Sequence, residues 1–165
     1  MAKPDVLQPL SPSILDRLID DEPDVTHEPY RSRTHIVREL KDCVRRDLEN
    51  LLNTRPPWHL PSDRWSELQL SLANYGLPDF TGTNLSSDEN RERYRQVIED
   101  IIRRYEPRFG HVRVVLLDEG ETLDRTLNFR IEALLRVEPE PEPISFDSIV
   151  EPVHRTMNLQ ESSRG

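Results

Sequence analysis

Ile98-Glu99-Asp100-Ile101-Ile102-Arg103-Arg104-Tyr105-Glu106-Pro107-Arg108 decides the fold. Apolar residues recur at helical spacing through Ile98, Ile101, Ile102 and Tyr105. Pro107 lacks an N–H and pushes Glu106 out of the α region, so the helix must stop there. After Phe109-Gly110-His111 the period changes. Val112-Arg113-Val114-Val115-Leu116-Leu117 is a short, nearly continuous apolar run, the pattern of a strand central in its sheet. Helix thus hands over directly to sheet, with two opposite charges held at the junction.

Upstream, Ser86 and Glu89 form a capping box that opens this helix, predicted over 87–105 with Tyr94, Val97, Ile98, Ile101, Ile102 and Tyr105 on one face. A first helix is predicted over 33–53, where Ile36, Val37, Leu40, Cys43, Val44, Leu48, Leu51 and Leu52 keep three- and four-residue steps. Arg38, Lys41, Asp42, Arg45, Arg46 and Glu49 cover its other side and read as a solvated face with intrahelical pairs. Residues 54–86 are irregular; Leu68, Leu70 and Leu72 mark a short helix or extended piece. Asn74-Tyr75-Gly76-Leu77-Pro78-Asp79 reads as a fixed turn, with Gly76 free to take positive φ and Pro78 stiffening the exit. In the Pro-rich, acidic residues 1–32, Ser11-Pro12 starts a short helix bearing Ile14, Leu15, Leu18 and Ile19.

Downstream, 118–124 form an acidic turn. Leu127, Phe129, Ile131, Ala133, Leu135 and Val137 then alternate strictly, so one face of a strand over 127–137 is buried. The Glu-Pro repeat at 138–143 is extended and solvated, since proline blocks helix and ladder alike. Ile144, Phe146, Ser148 and Val150 give a third strand, and 154–165 reads as a flexible tail. The predicted class is α+β: an antiparallel sheet of about three strands, two main helices on one face, and a short N-terminal helix. The organisation is an acidic segment 1–32, a domain 33–153 and the tail. The last strand, followed only by the tail, is the expected edge, and exposed edges invite added strands.

Charge and chemistry exclude several functions. The net charge of −9 is unevenly spread, near neutral over 31–110 and acidic in both flanks, so the basic stripe that nucleic acid requires is missing. An anionic membrane surface is disfavoured for the same reason. Arg outnumbers Lys 20 to two, and Arg suits multi-point pairing at interfaces. The single cysteine, Cys43, precludes an intramolecular disulfide. No export signal or transmembrane-length run is read, which points to the cytoplasm. Phosphate-loop, zinc-protease and serine-hydrolase motifs are missing, and His27, His35, His59, His111 and His154 lack metal-ligand spacing. No cofactor or metal is expected. Glu106 is the only carboxylate tightly framed by the pattern. If Arg108 touches it, the cation favours the ionised form, whereas a glycosidase acid must hold its proton.

Taken in order, Ile14-Leu15-Asp16-Arg17-Leu18, Val44 through Arg55, Asn74 through Asp79, Ile102 through Arg108 and Asn128-Phe129-Arg130-Ile131 resemble the TssE family across about residues 11–150. These are baseplate wedge components of bacterial type VI secretion systems, similar to a wedge protein of contractile phage tails. The resemblance implies a non-enzymatic subunit beside TssF, TssG and TssK, at the foot of a sheath of TssB and TssC, in the cytoplasm at a baseplate docked on the inner membrane. It maps the family's Glu-Pro-Arg signature onto Glu106, Pro107 and Arg108, which support a sheet edge offered to the first sheath ring, at 144–150 or 127–137. Arg130 and Phe146 join them as expected partner-binding residues. Arg108→Glu is expected to spare folding and weaken assembly. The family's "lysozyme-like" label supplies the alternative, a peptidoglycan-cleaving muramidase, for which no acid and nucleophile pair can be assigned.

Overall fold

The computed structural model describes residues 18, 23–24, 32–56, 64–69, 71–79, 87–117, 127–137, 140–150 and 157–162. The elements delimited within the described residues are α1 (Arg33–Asn53), the single turn α2 (Ser66–Gln69), α3 (Asp88–Tyr105), β1 (Phe109–Leu117), β2 (Leu127–Leu135), β3 (Glu142–Val150) and β4 (Met157–Glu161). A 3-10 turn, Leu72–Asn74, lies between α2 and α3. The strands form one antiparallel sheet in the order β1-β2-β3-β4. The α+β class, with two main helices on one face of a small antiparallel sheet, is as expected.

The periodicities locate the core. Val44, Leu48, Leu51 and Leu52 of α1 and Tyr94, Ile98, Ile101 and Ile102 of α3 are buried. They meet alternate residues from every strand: Val112 and Val114, Phe129 and Ile131, Ile144 and Phe146, Met157 and Leu159. Burying each large apolar side chain contributes roughly 1.5–3 kcal/mol. The intervening residues, such as Arg113, Arg130, Glu132 and Leu134, lie on the opposite face, as the pleat requires. The helices divide the sheet between them, α3 lying along β1 and α1 along β4. Ser32 caps α1 by accepting from the His35 N–H at 3.3 Å. Asp88 and Glu89 open α3 and Arg103 and Arg104 close it, each favourable with the helix dipole.

Several expectations need correction. The expected tail contains β4, whose Met157 and Leu159 are buried. Two apolar positions are too few to read as a strand; non-local bonds fix it. The Asn53 amide donates to the Met157 carbonyl (2.9 Å) and accepts from the Met157 N–H (2.8 Å), and Glu49 accepts from the Leu159 N–H (3.0 Å). In consequence β3 is interior, so neither 127–137 nor 144–150 is an edge. The edges are β4 and β1, although β1 was expected to be central. Its apolar run reflects cover from α3 rather than a second neighbouring strand. β3 also includes Pro143, paired with Leu134. Alternation turns the residue-143 main chain toward the β4 side, beyond the Phe146–Glu161 pair that ends that ladder, so its missing N–H costs no ladder bond. Ser87, with no side-chain cap bond, is the N-cap of α3 in place of the expected box. Outside the described residues lie Ser86, the acidic turn 118–124, residues 138 and 139 of the Glu-Pro stretch, and the N-terminal helix apart from Leu18, which is helical and exposed. Among the described residues no helix is long and apolar enough to cross a membrane.

Candidate functional site

The helix-to-sheet junction is a charged cluster set into an apolar rim. Glu106 caps α3, its N–H reaching the Ile102 carbonyl at 2.9 Å, and its own carbonyl accepts from Phe109 N–H at 3.3 Å. Proline between these bonds forces the reversal that starts β1 at once. The Arg108 carbonyl accepts from Arg136 N–H at 2.8 Å, pinning the end of β2 to the same turn. The Glu106 carboxylate is only 5% exposed. Arg108 grips it with two donors, Nε to Oε1 at 2.6 Å and Nη2 to Oε2 at 2.5 Å, and the Arg108 N–H adds a third bond at 3.1 Å. From α1, Asp47 Oδ2 accepts from Arg108 Nη2 at 2.7 Å. One guanidinium therefore ties helix, turn and second helix together. Its bonds to Glu106 hold Arg108 above its ordinary pKa.

Leu40, Leu51, Tyr75, Tyr105 and Pro107 surround this cluster in an open groove of about 500 Å³. Tyr75 and Tyr105 meet edge to face with centroids 5.3 Å apart, and the Tyr105 hydroxyl donates to the Ser71 carbonyl at 3.1 Å. Burial, followed by Asp47 and Glu106, pushes the Tyr75 phenol above its usual value. Both Glu106 oxygens accept from N–H donors. Among the described residues no cluster of His, Cys, Asp and Glu could hold a metal.

Three of the segments, Val44 through Arg55, Asn74 through Asp79 and Ile102 through Arg108, converge in space. Gly76 takes φ of +115°, where L-residues are strained. A Cβ there would lie 2.4 Å from the Thr54 carbonyl oxygen, which accepts from Leu77 N–H at 2.9 Å. Arg55 Nη1 donates to the Leu52 and Leu77 carbonyls, at 3.0 and 3.4 Å. The turn at 74–79 is thus docked on the end of α1 and presents Tyr75 to the charged cluster.

Glu106, Pro107 and Arg108 lie together at the junction. Arg130 is elsewhere, on the sheet face away from the helices, gripping Asp147 through Nε (2.5 Å) and Nη2 (3.0 Å). Phe146 is 1% exposed and points into the core, so it supports the sheet and has no surface for a partner. Asp47, Asn53 and Tyr75 escaped sequence reasoning as interacting groups, and Glu49 reads there only as an intrahelical partner. All lie within matched motifs, and that was the only signal. The supposed solvated face of α1 in fact reaches the sheet, through Glu49 to β4 and through Lys41 to Glu142 at 3.1 Å. The expectation that Arg108→Glu spares folding does not survive this geometry. It would put a third carboxylate beside two, one of them buried.

A family model, Baseplate wedge protein gp25, matches residues 38–140. A solved chain from "The baseplate complex from the type VI secretion system" is similar at 20% identity with a TM-score of 0.49, over 68% of this chain and 93% of that one. No curated protein matches.

Proposed function

Because the chain belongs to the baseplate wedge protein gp25 family, we propose that it is a non-enzymatic structural subunit of a type VI secretion baseplate wedge. Family membership carries this reading. The junction geometry supports it, since a guanidinium locked between two carboxylates fixes the shape of a surface groove. In this reading the groove beside Pro107 receives the wedge partners TssF and TssG, with TssK in the same assembly. The subunit works in the cytoplasm, at a baseplate docked on the inner membrane. Glu106 and Arg108 hold β1 and the end of β2 in place, so that the sheet anchors and nucleates the contractile sheath of TssB and TssC. Among the described residues the sheet edges that a strand added by the sheath would meet are β1 and β4.

The test is co-expression with the TssF and TssG of the same gene neighbourhood, followed by gel filtration, for the wild type and Pro107→Glu. Pro107 is exposed and outside the ion pairs; because it also sets the turn, circular dichroism of the variant first establishes that the fold is kept. Co-elution of the wild type and its loss with Pro107→Glu are expected. A folded wild type that elutes alone would sink the wedge assignment. Undiminished co-elution of the variant would remove the groove from it.

A further inference from the structure

Side chains from the helices occupy both free edges of the sheet. On β4 these are Asn53 and Glu49. On β1, Glu99 Oε2 accepts from the Val114 N–H at 3.1 Å, and Arg95 Nη1 donates to the Val114 carbonyl, also at 3.1 Å. Arg95 and Glu99 bond each other at 2.6 Å. Spaced four apart on α3, they present one donor and one acceptor to one residue, as an added strand would. Glu92 and Arg103 hold them from outside, at 2.7 Å each.

Alternate residues of an antiparallel strand turn their main-chain groups outward. Val114 faces out, and so therefore do Val112 and Leu116. This set is symmetric about Val114. A two-fold pairing of β1 with β1 of a second copy would set Val114 against itself, Val112 against Leu116 and Arg113 against Val115. No proline interrupts the strand, and no like charges fall opposite each other between 112 and 116. A nine-residue, β-branched edge of this kind is one that native sheets must protect. The central bonds of that pairing are the two that Arg95 and Glu99 already make.

We propose that Arg95 and Glu99 form a side-chain plug that keeps β1 from pairing with β1 of a second copy of this chain. The plug satisfies both polar groups of the Val114 main chain. It also fills the position an incoming strand needs. The inference is independent of the baseplate assignment, because it concerns only pairing between identical chains.

The test uses the full chain, with light scattering after gel filtration and amide exchange by NMR. The wild type should show the mass of one chain, 19.4 kDa, and a Val114 amide that exchanges more slowly than those of Val112 and Leu116. In the double variant Arg95→Ala/Glu99→Ala, Val114 protection should fall and the mass should climb with concentration toward two chains. Asp88→Ala strips an ion pair from the same helix, the one with Arg91 at 3.1 Å, without touching Arg95, Glu99 or their supports, and should stay at one chain. Added to the plug-less variant, Val115→Lys sets a cation opposite Arg113 and should restore the single chain, whereas Val115→Glu should strengthen the dimer. A folded plug-less variant that stays at one chain would overturn the proposal. So would a dimer indifferent to the charge at 115, or a wild-type Val114 amide that exchanges as fast as that of Leu116.

Discussion

Arg108→Met should be among the most damaging single changes to this fold. The substitution keeps an unbranched side chain of similar length and removes the guanidinium. Glu106, 5% exposed, then loses both side-chain donors and keeps only the bond from the residue-108 N–H. Stranding a buried charge in this way costs about 3–5 kcal/mol. Arg108 is a quarter exposed, so water screens one side of the pair and the lower end, about 3 kcal/mol, is expected. That is a large part of the roughly 5–15 kcal/mol that holds a domain together. Asp47→Asn is a calibrating control. It weakens one contact of a group about a third exposed and should cost about 1 kcal/mol or less. The decisive variant is Glu106→Leu/Arg108→Met, which replaces the pair by apolar groups and should recover most of the loss. Urea unfolding followed by circular dichroism measures all four proteins. With a slope of about 1–3 kcal/mol/M, Arg108→Met should lower the midpoint by about 1–3 M at unchanged slope. A cost below about 1 kcal/mol would refute the buried-charge argument, and so would a double variant no more stable than Arg108→Met.

Gly76→Ala should destabilise by about 3 kcal/mol, since positive φ strains any side chain and the new Cβ meets the Thr54 carbonyl; thermal unfolding would report it, and an unchanged melting temperature would contradict the docked turn. Ser148→Ala should raise the urea midpoint by about 1 kcal/mol equivalent, because the Ser148 hydroxyl is buried without a hydrogen-bond partner; a loss of stability would reveal a bond the structure does not contain. Burial pushes the Glu99 carboxyl up, but the Val114 N–H, Arg103 and Arg95 outweigh it and hold it below the usual 4.5. Glu92 and Arg95 of α3 and His111 and Arg113 of β1 also line its surroundings. A depressed carboxyl contributes stability that is complete above its unfolded value and is lost as pH falls through the lower folded one. Glu99→Gln should therefore flatten the stability–pH curve below about pH 4.5 and leave its shape at neutral pH alone; an identical acid limb in both proteins would refute this.

Local rules made the helices and the sheet class legible. The apolar steps from Ile36 to Leu52 and from Tyr94 to Tyr105, the stop at Pro107, the alternation from Leu127 to Leu135 and the positive φ of Gly76 each depend on residues within a few positions of one another. For such features periodicity and backbone sterics are sufficient. Even the Glu106–Arg108 contact spans two residues and could be anticipated. Tertiary structure alone decided the rest. Strand order depends on which main-chain groups find partners, and the partners of β4 are Asn53 and Glu49, more than a hundred residues away. A five-residue strand with two apolar positions has too little pattern of its own to announce itself. Asp47 joins the charged cluster from 61 residues away, on a helix face whose charges look merely solvated until the sheet is set beside them. The plug on β1 is of the same kind. Nothing in the sequence sets Arg95 and Glu99 apart from any other two residues spaced four apart, and only the packing of α3 along the edge aims them at Val114. Backbone sterics and side-chain periodicity act along the chain and are written in it. A hydrogen bond between distant segments depends on where those segments dock, and that is settled by the burial of the whole core.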